Sequence, residues 1–316
     1  MDADINRAVV VVGGTGCVGL NMADVFARHG HEVVLVSRRP PTGAAGARHR
    51  WVAADVAAEP PARLASMLEA TGARTVVNAA GGWSPLPEAN QRMHVRLVTN
   101  LLAAIAAVGP TRPRLIHIGS IHEYGPTPAG TRITERHPTA PEGPYAASKL
   151  AGTAAVLRAT EAGEVSAVVL RAVNLCGPGT PSASFLGMLT ERLRSASPGQ
   201  PAEVVVGAAR RDFLDARDLA RAALLASGAG IAGQILNIGG GEAVAIRDVV
   251  RMLVSVAGLP PDAVRLRDGA VGSKGGDWTL ADIGLARRLL GWEPRITLRD
   301  SLADMWFRRD HETVTR

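Results

Sequence analysis

A doubly wound α/β fold on a parallel sheet is predicted by three features of the sequence. Short apolar runs alternate with helix-length segments through the first half of the chain. Several runs are apolar at every position, as strands covered on both faces are. The first run ends in a glycine-rich turn that opens a helix.

Residues 8–12 are the first strand, and Gly13-Gly14-Thr15-Gly16-Cys17-Val18-Gly19 leads into a helix through Leu20, Ala23, Phe26 and Ala27 to Gly30. Residues 32–36 are the second strand, followed by Ser37-Arg38-Arg39 and a Pro/Gly/Ala loop through Ala47. Further buried strands are expected at 51–54, 75–78, 114–118 and 167–170, with helices near 62–70, 89–108 and 145–161. After Arg171 the rhythm loosens. Gly177-Pro178-Gly179 is a turn, 183–194 is helical, 203–206 is a strand, and Asp215 caps a helix over 216–226. A last sheet strand is expected at 234–238, then helices at 246–257 and 282–290, the latter ending at Gly291. Thr297 and Asp300 open a final helix in the manner of a capping box. The expected plan is an α/β, Rossmann-type doubly wound parallel sheet over 1–172 plus about 208–240. A smaller interleaved C-terminal α/β substrate lobe takes 173–207 and 241–296, and a C-terminal helix takes 297–316.

Composition narrows the function. A hydrophobic share of 47% over 316 residues excludes a mostly disordered chain. The net charge of +6 is spread without a run of four basic residues, which argues against nucleic acid as a partner. Only Lys149 and Lys274 are lysines, so arginine carries nearly all the positive charge. Cys17 and Cys176 lie in no metal-ligand spacing, and no metal site is expected. Asp2, Asp4 and Arg7 stand where a signal peptide would carry a basic start and an apolar core, and no apolar stretch approaches the roughly eighteen residues that span a bilayer. The expectation is a cytoplasmic protein with no membrane partner.

Gly13, Gly16 and Gly19 form GxxGxxG between a strand and a helix. Glycines allow the tight turn and leave no side chain between backbone and a pyrophosphate, which meets the positive end of the helix; Cys17 and Val18 lie in the same turn. The second strand runs out into Ser37, Arg38 and Arg39 rather than an acidic residue. A planar donor fork and a hydroxyl suit a 2′-phosphate, so NADP (NADPH) is expected over NAD, with solvent-facing loop arginines as the alternative. Asp55, with Val56 beside it past the third strand, either accepts from an adenine amino group or caps the next segment. Asn78-Ala79-Ala80-Gly81 ends the fourth strand with side chains small enough for a cofactor to pass.

Tyr145 and Lys149 are four residues apart at the start of a helix and therefore share a face. An ammonium beside a phenol, and an oxidised nicotinamide, lower the phenol pKa and tune it for acid/base work. Ser120 falls at the carboxyl end of a parallel strand, where it can polarise a carbonyl or cap a turn. His122 and Glu123 follow, but no GxSxG elbow or placed acid makes a hydrolase triad; His122 is either a substrate contact or auxiliary acid/base, or a loop histidine.

GGTGCVG (13–19), NAAG (78–81), SIHEYG (120–125), YAASK (145–149), RAVNLCGPG (171–179), RRDFLDARDLA (210–220), NIGGG (237–241) and LLGWEP (289–294) together make the chain resemble the extended short-chain dehydrogenase/reductase family, in its branch of nucleotide-sugar epimerases, dehydratases and ketoreductases. The resemblance implies Ser120, Tyr145 and Lys149 as the catalytic trio, with Lys149 also on the nicotinamide ribose. It implies Asn174, Arg211 and Lys274 facing a nucleotide sugar, and a homodimer through the helices at 89–108 and 145–161. Dehydratases of the family carry an Asp-Glu pair where this chain has Ile121 and His122, so that chemistry is not expected. His94 stands where the family often has asparagine. The expected activity is NADPH-dependent reduction of a keto group on a nucleotide-activated deoxysugar, of the kind used in activated-sugar pathways including those that decorate antibiotics. The alternatives are a nucleotide-sugar 4-epimerase with tightly bound NAD(P), a reductase of a non-sugar carbonyl, and a non-catalytic nucleotide-binding or regulatory protein.

Overall fold

The computed structural model describes residues 8–42, 48–196, 201–269 and 276–307. β1 (Ala8–Val12) lies at the heart of the main sheet, and its alternation supplies two cores: Val9 and Val11 pack on one face, Val10 and Val12 on the other. A strand buried on both sides has no polar face to spare, which is why the run is apolar throughout. α1 (Cys17–Arg28), β2 (Val33–Ser37), β3 (Arg50–Ala53), α2 (Pro61–Thr71) and β4 (Ala73–Asn78) follow. α3 (Pro87–Gln91) then passes through a π-helical turn, Arg92–Arg96, into α4 (Leu97–Ala107). The continuous helix expected at 89–108 is thus corrected by one widened turn centred on His94.

β5 (Arg114–Ser120), a 3₁₀ turn (Ile121–Tyr124), α5 (Gly143–Glu161) and β6 (Ala167–Ala172) complete the nucleotide half. Beyond it come β7 (Asn174–Cys176), α6 (Phe185–Arg194), β8 (Ala202–Val206), β9 (Arg210–Asp215), α7 (Ala216–Gly228) and β10 (Ile235–Ile238). The chain ends through β11 (Ala243–Ala245), α8 (Ile246–Val256), β12 (Val264–Asp268), α9 (Gly284–Leu290) and α10 (Leu298–Phe307). The main sheet has seven strands in the order β10-β6-β5-β4-β1-β2-β3, every pair parallel. α1, α7 and α9 cover one face, and α2, α4 and α5 the other. The order reverses between β1 and β4, the crevice where open α/β sheets hold ligands.

The smaller region is a three-stranded sheet, β11-β9-β7, and a parallel pair, β12-β8, around a third apolar cluster. Strands β7, β9, β11 and β12, three to six residues long, were absent from the sequence expectation. Buried Asp212 ties the two regions, accepting from the backbone N–H of Gly240 at 2.7 Å, Gly241 at 3.3 Å and Ala281 at 3.1 Å. Asp215 caps α7 at Arg217 N and accepts from buried Ser301 at 2.6 Å, which anchors α10. Among the described residues no helix is long and apolar enough to cross a membrane, and no group of three or more His, Cys, Asp or Glu could hold a metal ion.

Candidate active site

The glycine turn and the end of β4 meet at the crevice. Gly13 has φ of 75°, and a Cβ there would lie 2.7 Å from the Ala80 backbone; one on Gly19 would lie 2.2 Å from Gly13 O. These two glycines serve the turn and its packing. Gly16 differs: the nearest atom to a Cβ there is Gly13 O at 3.5 Å. No neighbour requires a bare Cα at 16, and Gly16 is the N-cap of α1, which has no side-chain cap and no acidic residue in its first turn. An uncapped helix start behind an open glycine fits a pyrophosphate. Cys17 Sγ and Asn21 Nδ2 reach Pro178 O at 3.4 and 3.3 Å, docking the 177–179 turn on the same helix.

Ser120 ends β5 and caps the 3₁₀ turn, its hydroxyl accepting from His122 N at 3.3 Å while Glu123 Oε1 accepts from Ser120 N at 2.7 Å. The serine caps the turn, and its hydroxyl also lies within hydrogen-bonding reach of the Tyr145 phenol. Lys149, one turn along α5, is 4% exposed and donates from Nζ to Ile118 O at 2.6 Å. Burial lowers its pKa to about 8 against the pull of the Glu123 carboxylate. Burial raises the Tyr145 phenol above its ordinary value, the Ser120 hydrogen bond opposes the rise, and Glu123 adds to it. Lys149 is not among the groups that shift this phenol in the cofactor-free chain, where burial is the largest cause.

Glu123 and Arg171, which the sequence reading left without a role, frame this trio. Their ion pair, 2.8 Å from Arg171 Nε to Glu123 Oε2, is shut off from solvent at 3% and 0% exposure. Arg171 lies 4.4 Å over the Tyr124 ring, and Tyr124 OH donates to Asn237 Oδ1 at 2.9 Å, so the network crosses from β5 to β10. Ser120-x-x-Glu123 has capping-box spacing, a signal that was available in the sequence.

His122 is partly exposed, its ring 6.2 Å from that of Tyr145. Ala79, Ala80 and Gly81 line the end of β4, with Ala80 N held by Asn78 Oδ1 at 3.2 Å. Asp55 accepts from Ala57 N at 3.2 Å and pairs with Arg92 at 2.5 Å. The Val56 side chain packs in the core. In the smaller region Asn174 donates to Asp212 O at 3.0 Å, and buried Arg211 donates to Arg210 O at 3.1 Å and to Gly276 O. Elsewhere in the same region a cleft of about 450 Å³ is lined in part by Gly207, Arg210, Arg247 and Asp268. Lys274 lies outside the described residues.

The model of the NAD dependent epimerase/dehydratase family matches residues 9–239. The dTDP-6-deoxy-L-talose 4-dehydrogenase (NAD(P)(+)) of Kitasatospora kifunensis is 38% identical over 302 residues, covering 94% of each chain. The UDP-glucose 4-epimerase of Corynebacterium glutamicum is 30% identical over 323 residues, again 94% of each. MoeE5, solved in complex with UDP-glucuronic acid and NAD, superposes with a TM-score of 0.81 at 28% identity, covering 96% of this chain and 99% of that one.

These likenesses correct the expected preference for NADP over NAD: MoeE5 carries NAD, and the Kitasatospora enzyme is named for either nucleotide. The geometry supplies a reason. The Ser37 hydroxyl gives its one proton to Arg39 O at 2.6 Å and accepts from Trp51 Nε1 at 2.9 Å, so it is not a donor toward a 2′-phosphate. Arg38 and Arg39 are exposed loop residues, the alternative reading of that motif.

Proposed function

Because the chain belongs to the NAD dependent epimerase/dehydratase family, we propose that it exchanges hydride between NAD and C4 of a pyrimidine-nucleotide-activated sugar. One observation carries the reading: a phenol within reach of a strand-end hydroxyl, one helical turn from a buried lysine, beside the glycine turn at the sheet's reversal. The family establishes an NAD(P)-dependent enzyme of epimerase/dehydratase type; the substrate class and the carbon come from relatives named for reactions at position 4 of dTDP- and UDP-sugars.

NAD, when bound, supplies the hydride acceptor, and in reduced form the donor. The open Gly16 and the uncapped start of α1 would hold its pyrophosphate, and Ala79 to Gly81 would flank it. Ser120 would donate to the sugar oxygen at C4 and Tyr145 would move the proton on that oxygen, the two sharing the charge that develops there. Tyr145 holds its proton at neutral pH, which suits protonation of the oxygen in the reducing direction. Asn174 and Arg211 are assigned to the sugar nucleotide.

This half-reaction has two outcomes. Release of the cofactor gives a 4-dehydrogenase or 4-ketoreductase, supported by the Kitasatospora relative. Return of the hydride to the other face gives a 4-epimerase with held NAD, supported by the Corynebacterium relative, and MoeE5 in complex with NAD supports the choice of that nucleotide. The comparisons favour held NAD over the NADPH-consuming reductase of the sequence expectation. Absorbance of the reduced nicotinamide with dTDP- and UDP-sugars separates the outcomes, since only net redox changes it. Tyr145→Phe is expected to lower either activity by about 10³-fold while sparing NAD binding; full activity in that variant contradicts the assignment.

A further inference from the structure

The 3₁₀ turn that follows Ser120 buries three of its four side chains, those of Ile121, Glu123 and Tyr124. His122 is the exception. Its backbone N–H donates to Ser120 Oγ at 3.3 Å and its carbonyl accepts from Gly125 N at 3.1 Å, so its main chain is fixed while its side chain is partly exposed. Gly125 closes the turn with φ of 79°, and a Cβ there would lie 1.9 Å from Ala140 O, so the bend is tightly specified. The His122 ring stands beside the phenol of the site, with its centroid 6.2 Å from that of Tyr145 and the planes inclined at 71°.

A ketone at C4 changes the acidity of its neighbours. The hydrogens on C3 and C5 become removable as protons, because the enolate that forms places its charge on the C4 oxygen, between Ser120 and Tyr145. A base is then needed one bond away from C4. Glu123 does not offer one: Oε1 accepts from Ser120 N, and Oε2 is paired with Arg171 out of reach of solvent. His94 also meets the Tyr145 ring, at 5.3 Å, but it is buried, and burial and then Lys149 lower its pKa to about 4. His122 meets both requirements, since it borders the reacting carbons and its ring reaches water.

We propose that His122 is a general base for the hydrogen on a carbon flanking C4, so that the site enolises a 4-keto sugar as well as exchanging hydride. The inference rests on the hydride-exchange reading above. The C–H bond breaks, its proton goes to the imidazole, and its electron pair forms a C=C bond to C4 while the C4 oxygen takes the charge. The imidazolium then returns a proton, its own or one exchanged with water, and the ketone is restored. Nothing is oxidised or reduced in this step. Ile121, next to the base, has no acidic proton to give a departing hydroxyl, so the enolate takes a proton back rather than losing water. Return of the proton to the opposite face inverts that carbon.

The test supplies the ketone directly, which removes the need for hydride transfer. The protein with NAD is given dTDP- or UDP-4-keto-6-deoxyglucose in D₂O, and NMR and mass spectrometry follow deuterium at C3 and C5. The wild type is expected to incorporate deuterium at one of those carbons about 10²-fold faster than the ketone in buffer alone. His122→Phe, which keeps a ring and removes the nitrogens, is expected to lose that acceleration while still passing deuterium from a C4-labelled sugar to NAD within about tenfold of the wild-type rate. Wild-type incorporation no faster than in buffer overturns the proposal, and so does undiminished incorporation in His122→Phe. Should His122→Phe not fold, or lose both activities together, His122→Gln is read by the same measure: lost incorporation with hydride transfer kept supports the proposal, and undiminished incorporation overturns it. Wild-type protein that exchanges the ketone's hydrogens yet moves no hydride contradicts the functional reading and leaves His122 as the base.

Discussion

Two polar clusters underlie the same catalytic turn, and they differ in how fully they are satisfied. Beneath Ser120, Glu123 accepts from the Ser120 backbone and from Arg171, and Tyr124 and Asn237 carry the network across the sheet. Beneath Lys149, His94 Nε2 and His117 Nε2 are buried without a hydrogen-bond partner among the described residues. A buried group left unpaired costs on the order of 1–3 kcal/mol. The first fixes the Ser120 backbone; the second leaves two ring nitrogens unbonded near Lys149.

The largest effect on folding is expected from breaking the satisfied cluster. Glu123→Gln keeps volume but leaves Arg171 buried without its counter-charge, and should cost about 3–5 kcal/mol in urea unfolding. A loss below about 1 kcal/mol would show that the frame is not built on this pair.

The unsatisfied cluster should respond in the opposite sense. Lys149→Met removes a buried cation whose folded pKa, about 8, lies below its ordinary 10.5. The unfolded chain binds the extra proton between those values, so wild-type stability rises as pH climbs from about 8 to 10.5 and is lowest below 8. The Met variant should gain about 3 kcal/mol at pH 7, lack that alkaline rise, and lose about 10²-fold or more in turnover. Unfolding curves across pH check the first two, and a destabilised Met variant would contradict them.

A smaller effect sharpens the same distinction at the glycine turn. Gly16→Ala has room for its methyl in the protein, so stability should stay within about 0.5 kcal/mol while NAD affinity falls about tenfold. Calorimetry that finds unchanged affinity would remove Gly16 from the cofactor cradle.

What could be read from the sequence follows the range of the interactions. The strand-turn-helix over 8–28 and the Tyr145-x-x-x-Lys149 face depend on neighbours a few residues apart, and periodicity exposes them. The widened turn at His94 depends on Gly152, far along the chain, and nothing local announces it. Ser37 and Arg38 misled for a related reason. Their residue types suit a phosphate, but the serine's one proton is taken by Arg39 O, a contact that only the folded backbone sets. Strands β7, β9, β11 and β12 escaped notice because short or polar-rich segments such as these make no apolar run of the kind that marks the main sheet.

The fate of the hydrogen at sugar C4 tests the central claim most directly. The protein is incubated with NAD and a dTDP- or UDP-sugar bearing deuterium at C4, and the label is followed by mass spectrometry and NMR. The expected result is deuterium on the nicotinamide, or deuterium retained at C4 of an inverted sugar, and neither with Tyr145→Phe. Loss of the label to solvent, or an untouched substrate across that panel, would contradict hydride exchange at this site.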